Sequence, residues 1–390
     1  MKLADKFSAV KPSATLAVNA KALELKNQGI KVISLAVGEP DFTTPAHICN
    51  AAKMAIDDGF TRYTAVPGII ELRKAVANYY ASEYGTKFAA ENVVISNGGK
   101  QPLYNIMQAI LNPEDEVLIP APYWVSYPDM VLLAGANPVS VPTSVHDDFK
   151  VTIEQLENYL SPNSRMLILN SPSNPTGVIY TQEELDTLMA WAMEKSLFVI
   201  SDEIYDQLVY DGNKSATAAA WFERYPEQVA ICNGLSKSYA MTGWRVGYSV
   251  TCPALTKAII SLQGQSTSNV CSIAQKAALA ALDGPKDFMG TMRSAFTRRR
   301  DKGYEVIKQW SKAICPKPGG AFYFFVDVHQ YFRPGLANDV ELCTLLLEKA
   351  NVAVVPGSAF GDKRCIRFSY ALDDDVLLDA LSRIEKVLEG

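Results

Sequence analysis

Along the chain, short apolar runs alternate with longer stretches in which apolar residues return every three or four positions. The runs "KVISLAV", "NVVISN", "DEVLIPA", "RMLILNSP", "LFVISDE" and "QVAICNG" predict strands. Between them, "IIELRKAVANYYASEY", "QPLYNIMQAIL" and "TQEELDTLMAWAMEKS" predict helices. The last opens with Thr181 and Glu184 at capping-box spacing. Strands that are apolar throughout and separated by helices imply a parallel sheet covered on both faces, an α/β fold. Near Gly284-Pro285 the rhythm changes. A long charged helix containing "SAFTRRRDKGYEVIKQW" is followed by "AFYFFVDV", a helix around "DVELCTLLLEKA", then "VAVVP", "CIRFSYA" and a final helix. These pieces suggest a smaller α+β unit. The N-terminal helix has no sheet partner of its own and is expected to pack against that unit.

Composition narrows the function. Lys and Arg number 37 against 42 Asp and Glu, a formal charge of −5, which argues against a nucleic-acid binder. No apolar run is long enough to span a bilayer, and the start "MKLADKFSAVKPSATLAVNAKALELKNQG" lacks the apolar core of a signal peptide. Seven cysteines without a CxxC pair suggest reduced thiols in a cytoplasmic protein. His47, His146 and His329 lie far apart, so neither a histidine metal site nor a Ser-His-Asp triad is expected.

Chemistry gathers where predicted strands end, the place where ligands of such sheets bind. After "NVVISN" comes "GGKQ", Gly98 to Gln101, opening a helix. It is either a plain turn or a set of exposed N–H groups at a helix start that suits an anion. After "RMLILN" comes "SPSNPTG". It is either a tight turn or a rigid loop, a natural place for cis peptides, that aims Asn174 at a ligand. Asp202 follows "LFVIS", where a buried carboxylate needs a partner unless it caps the next segment, and Tyr205 lies close by. Lys237 sits in "LSKSYAMTGWRVGY", a lysine among small and apolar residues. It either snorkels at the rim of a core or serves as a reactive amine, its pKa lowered beside a cation such as Arg245. One ligand answers all of these: a phosphate for the glycine turn and Arg245, a carbonyl for Lys237, a ring nitrogen for Asp202, a ring oxygen for Asn174 and Tyr205. Pyridoxal 5′-phosphate has these four groups.

The sequence resembles the class I aminotransferases of fold type I, and most of all the bacterial aspartate aminotransferases that include prephenate-accepting members. The motifs run nearly end to end: "KPSATLAVNAKALELKNQG", "GEPDFTTP", "RYTAVPGIIELRKA", "GGKQ", "PYWVSYPDMV", "SPSNPTG", "SDEIY", "SKSYAMTGWRVGY" and "IRFSYA". The resemblance implies a mostly parallel seven-stranded sheet in a large domain, a smaller α+β domain built from both ends of the chain, and active sites shared across a homodimer. The expected division is an N-terminal arm and part of the small domain at 1–44, the large cofactor-binding domain at 45–284 and the small C-terminal domain at 285–390. It implies that Lys237 is the Schiff-base lysine and proton carrier and that Asp202 pairs with the pyridine nitrogen. Asn174 and Tyr205 would contact the ring oxygen, and Trp124 would stack on the ring. The turn at Gly99-Lys100, Ser236 and Arg245 would hold the phosphate, helped by Tyr63 from the other subunit. Arg367 would take the substrate α-carboxylate, with the Gly38 backbone closing over it and Trp124 and Asn174 beside it.

One departure bears on specificity. The better-known aspartate aminotransferases read the distal carboxylate with a partner-subunit arginine, but no arginine lies between Arg245 and Arg293. In the subgroup resembled here the lysine of "GGKQ" does that work, which makes Lys100 the candidate. Lys11, if not simply solvated, and Thr15 are second contacts that would admit prephenate. The expected reaction exchanges an amino group between aspartate and 2-oxoglutarate. The alternatives are an aromatic or broad-specificity aminotransferase, a lyase of the same fold, and a regulator using such a domain as a sensor.

Overall fold

A computed structural model of the chain describes Met1 and residues 14–390, except the side chains of 14–16 and 19. The helix Ala14–Asn27 leads into a two-residue strand, β1 (Ile33–Ser34). Seven further strands build the main sheet: β2 (Val93–Asn97), β3 (Glu116–Ala121), β4 (Asn137–Pro142), β5 (Ser164–Asn170), β6 (Phe198–Asp202), β7 (Val229–Gly234) and β8 (Val246–Val250). Their order is β2-β8-β7-β6-β5-β3-β4. The pairs among β4, β3, β5, β6 and β7 are parallel, and β8 runs antiparallel to both β7 and β2. Two strands in this sheet escape the apolar-run pattern. β4 carries Pro138 and Pro142 and lies at the sheet edge, where a missing N–H is tolerated. β8 is only "VGYSV", hidden behind the lysine stretch.

The direction of β8 matters for the site. Its connection from β7 is the stretch 235–245, too short for the crossover that parallel neighbours need, which leaves the antiparallel arrangement. The end of β7 and the start of β8 therefore meet at one edge, which brings Lys237 and Arg245 together. Apolar clusters fill both faces of the sheet, with Ile95, Leu167, Val199 and Ile231 on one side and Val94, Ile119, Ile168, Ile200 and Ala230 on the other. This is the two-faced burial that uniformly apolar strands require.

The smaller unit holds β9 (Tyr323–Asp327), β10 (Val352–Ala353), β11 (Val355–Pro356) and β12 (Cys365–Ser369). Its antiparallel sheet runs β11-β12-β9, while β10 pairs in parallel with β1. The run "VAVVP" thus splits between two sheets. Of "KVISLAV" only Ile33 and Ser34 pair, because β10 offers no longer partner. The helix Ala14–Asn27 lies against β1, β10 and β11, so it joins the C-terminal unit as expected. A third cluster around Phe296, Phe322, Phe324, Phe368 and Leu381 forms the core there. The capping box at Thr181 is present: its hydroxyl accepts from Glu184 N at 3.1 Å and its N–H donates to Glu184 Oε2 at 2.7 Å.

Candidate active site

One cleft of about 290 Å³ opens at the carboxyl ends of the parallel strands and reaches the smaller unit. It is lined by Gly38, Gly99, Lys100, Trp124, Asn174, Asp202, Tyr205, Ser236, Lys237, Arg245 and Arg367. Eleven expected site residues from seven separate stretches therefore meet. Tyr63 does not join them in its own chain: its side chain is 90% exposed. Lys11 lies outside the described residues, as does the side chain of Thr15.

Asp202 is the last residue of β6 rather than the residue after it, and it is buried. Tyr127 Oη donates to its Oδ2 at 2.6 Å and Ile204 N to its Oδ1 at 3.2 Å. Burial pushes its carboxyl up to about 6 against the pull of these two donors. Among the described residues no ion pair includes it. Beyond Gly234 at the end of β7, Lys237 Nζ donates to the Gly38 carbonyl. Burial lowers its ammonium to about 8, opposed by Glu39 and assisted by Arg367 and Arg245. Desolvation is thus the main cause, and each of the two cations adds less than Glu39 takes back.

The glycine turn is a cradle in which a side chain has no place. Gly98 adopts φ +72°, and a Cβ there would stand 2.2 Å from Arg245 Nη2. A Cβ on Gly247 would stand 2.5 Å from the Gly98 carbonyl carbon. Arg245 donates to the carbonyls of Thr242 at 3.0 Å and Asn97 at 3.4 Å, which lays its guanidinium along the start of the helix Lys100–Ile110. The loop "SPSNPTG" has cis bonds before Pro172 and Pro175, and a third cis bond precedes Pro122.

Arg367, on β12, is buried between two rings, with its guanidinium carbon 4.5 Å from the Tyr323 centroid and 4.8 Å from that of Phe360. It donates to Asn174 Oδ1 at 3.0 Å and the Ala36 carbonyl at 2.9 Å, while its Nε has no partner in the described structure. A buried guanidinium with an idle N–H suits a ligand carboxylate. Lys100 stands at the cleft rim, 3.0 Å from Ser126 Oγ and 4.9 Å from the centroid of Trp124. Its ammonium is held below the ordinary lysine value by desolvation and by Arg245.

Tyr323 lines the same cleft, and the residue pattern did not single it out. Its signal was a lone hydroxyl in the apolar run "AFYFFVDV", since a buried phenol needs a partner. That partner is Tyr205, whose hydroxyl lies 2.9 Å away.

A sheet of this order, with an amine, a buried carboxylate and an anion cradle at its carboxyl edge, defines an enzyme of amino-group chemistry. The chain belongs to the class I and II aminotransferases, whose family model matches residues 30–384. It is 47% identical to an aspartate/prephenate aminotransferase of Cereibacter sphaeroides, over all of this chain and 99% of the relative. It is 43% identical to an aspartate aminotransferase of Bacillus subtilis, again over 100% and 99%. The solved aspartate aminotransferase of Thermus thermophilus with maleate superposes with a TM-score of 0.94 at 40% identity, covering 99% of this chain and 100% of that one. The fold is therefore that of the fold type I transferases, and pyridoxal 5′-phosphate is the cofactor. The residues present fit it: a carboxylate with only neutral partners for a ring nitrogen, a glycine cradle beside an arginine for a phosphate, and a lysine of lowered basicity for an aldehyde. No helix among the described residues is long and apolar enough to cross a membrane.

Proposed function

We propose that the protein transfers an amino group between aspartate and 2-oxoglutarate, yielding oxaloacetate and glutamate, with prephenate as a further oxo-acid substrate. One observation carries this: besides the cradle arginine and Lys237, which is reserved for the cofactor aldehyde, the cleft is lined by two cationic side chains, buried Arg367 and rim-placed Lys100. A dicarboxylic amino acid has a carboxylate for each. The relatives named above act on aspartate by name, and that from Thermus thermophilus was solved with a dicarboxylate.

Pyridoxal 5′-phosphate, when bound, withdraws electrons from the substrate Cα and so acidifies its C–H. The chain supplies the rest. Gly99 and Lys100 at the turn, Ser236 and Arg245 hold the phosphate, with Tyr63 of a second subunit. Asp202, fixed by Tyr127 and Ile204, holds a proton on the ring nitrogen. Asn174 and Tyr205 face the ring oxygen, and Trp124 covers the ring. Lys237 carries the cofactor in the resting enzyme and, once free, moves the proton from the substrate Cα as base and then as acid. Arg367 binds the α-carboxylate and the Gly38 backbone closes over it. Lys100 takes the distal carboxylate, with Lys11 and Thr15 as second contacts.

Residues 45–284 then form the cofactor domain, and 1–44 with 285–390 the smaller one. The exposed apolar side chains Met54, Ile56, Tyr63 and Ile70 support a homodimer with shared sites. Seven free cysteines support a cytoplasmic location.

The test is a matrix of amino donors against oxo acids, prephenate included, with wild type and Lys100→Ala. Aspartate and glutamate should be the best donors for the wild type, and the variant should lose about ten- to a hundredfold in kcat/KM for them, the value of a charge-assisted bond of about 1.5–3 kcal/mol. Alanine and phenylalanine should change little. A wild-type preference for phenylalanine would favour the aromatic aminotransferase instead, and equal losses would leave Lys100 with the phosphate turn alone.

A further inference from the structure

The hydroxyls of Tyr205 and Tyr323 face each other in a buried setting, and each phenol has a single O–H to donate. If Tyr205 gives its proton to the ring oxygen, it has none left for Tyr323. The 2.9 Å contact must then be made by the Tyr323 proton, donated to the Tyr205 oxygen. We propose that Tyr323 is a positioning residue that acts through Tyr205: the two hydroxyls form a donor chain running Tyr323 to Tyr205 to the cofactor ring oxygen. The proposal rests on the placing of Tyr205 given above.

Three observations support a built device. Tyr323 belongs to β9 of the smaller unit, while Tyr205 follows β6 of the main sheet, so the bond spans the two. The Tyr323 ring also covers Arg367 at 4.5 Å, which fixes its plane independently of the hydroxyl. A Cβ on Gly38 would stand 2.9 Å from Tyr323 Oη, so the loop that closes the cleft leaves room for that hydroxyl by carrying no side chain.

Hydrogen bonds in series polarise one another, so a donor behind Tyr205 makes Tyr205 a stronger donor. A stronger donor draws charge from the ring oxygen and makes the nitrogen joining Lys237 to the cofactor less basic. The charged groups facing this cluster are Asp202, Lys237, Arg245, Arg367 and Glu39. Replacing a tyrosine by phenylalanine leaves all five in place.

The test follows the midpoint pH of the visible absorption of the resting holoenzyme in Tyr323→Phe, Tyr205→Phe and the double variant. Tyr205→Phe should raise the midpoint by about 1–2 units, and Tyr323→Phe by about 0.3–1 unit in the same direction. The double variant should match Tyr205→Phe alone, because the chain has lost its middle member. A 3-fluorotyrosine at 323, a stronger donor of the same shape, should lower the midpoint. An unmoved midpoint in Tyr323→Phe, even with a lower melting temperature, overturns the proposal and leaves Tyr323 a packing residue. So does a Tyr323→Phe shift that persists in the Tyr205→Phe background. If Tyr205→Phe alone leaves the midpoint in place, the placing of Tyr205 falls, and the donor chain with it.

Discussion

Lys237 shows how far one residue can be read. Its apolar neighbours mark it in the sequence, and burial is what lowers its ammonium to about 8. Burial penalises the charged form, so deprotonation begins at lower pH. At pH 7 about one amine in ten is neutral, against about one in 2500 for an ordinary lysine. Only the neutral amine attacks an aldehyde. Capture of added pyridoxal 5′-phosphate by apoenzyme should therefore quicken about tenfold per unit below pH 8 and level off above it; a rate that still climbs past pH 9.5 would place the amine in solvent. Asp202 tests the opposite charge. An amide can keep both contacts, its oxygen accepting from Ile204 N and its NH2 donating to the Tyr127 hydroxyl, which turns from donor to acceptor, so Asp202→Asn should melt within a few degrees of wild type yet lose about a hundredfold or more in turnover. Near-normal turnover would remove it from the chemistry. Asp202 was visible because a carboxylate ended an apolar run. Arg367 was named by likeness and Tyr323 was missed, since each becomes a site residue only when β9 and β12 are brought to the cleft by the packing of the smaller unit.

At the scale of elements, the pattern of apolar positions found the central strands and the long helices, where many residues agree on one period. It missed β4 and β8, one broken by prolines at a sheet edge and the other interrupted by Gly247 and Ser249. It also left the helices Ala46–Asp57, Pro253–Ser266 and Ser272–Asp283 unassigned. The missed β8 is costly, because its antiparallel turn explains why Lys237 and Arg245 share a site. The turn before the helix Lys100–Ile110 gives the sharpest element-level prediction. In Gly98→Ala the new methyl meets the movable end of Arg245 rather than backbone, and the left-handed φ adds about 1–2 kcal/mol of strain. The protein should still fold, with a melting point lowered by several degrees, while Arg245 is pushed from the cradle. Equilibrium dialysis should show cofactor affinity about tenfold weaker or more; unchanged affinity would mean the cradle does not hold the phosphate.

For the whole molecule, the segment after β1 is laced to both units. Thr242 Oγ1 donates to Glu39 at 2.8 Å and Thr44 Oγ1 to the Ala240 carbonyl at 2.6 Å, on the lysine turn. From the other side, buried Arg299 grips both Asp41 oxygens at 2.8 Å and reaches Asp374 at 3.3 Å. The segment carrying Gly38 is therefore anchored on both sides of the cleft. Assembly is tested by Tyr63: sedimentation should give a dimer, and Tyr63→Phe should stay dimeric while retaining cofactor about tenfold less tightly. A monomer with full affinity would leave that exposed phenol without a task. The pairing of Ile33 with Val352 has one more consequence, for the order of events during synthesis. All seven strands of the main sheet have left the ribosome before β9 is made, so that sheet can close early on the nascent chain. Strand β1 emerges among the first segments, yet its only strand partner among the described residues is among the last. It must wait through nearly the whole of translation, and a chain halted before Val352 would hold a finished main sheet with β1 still unpaired.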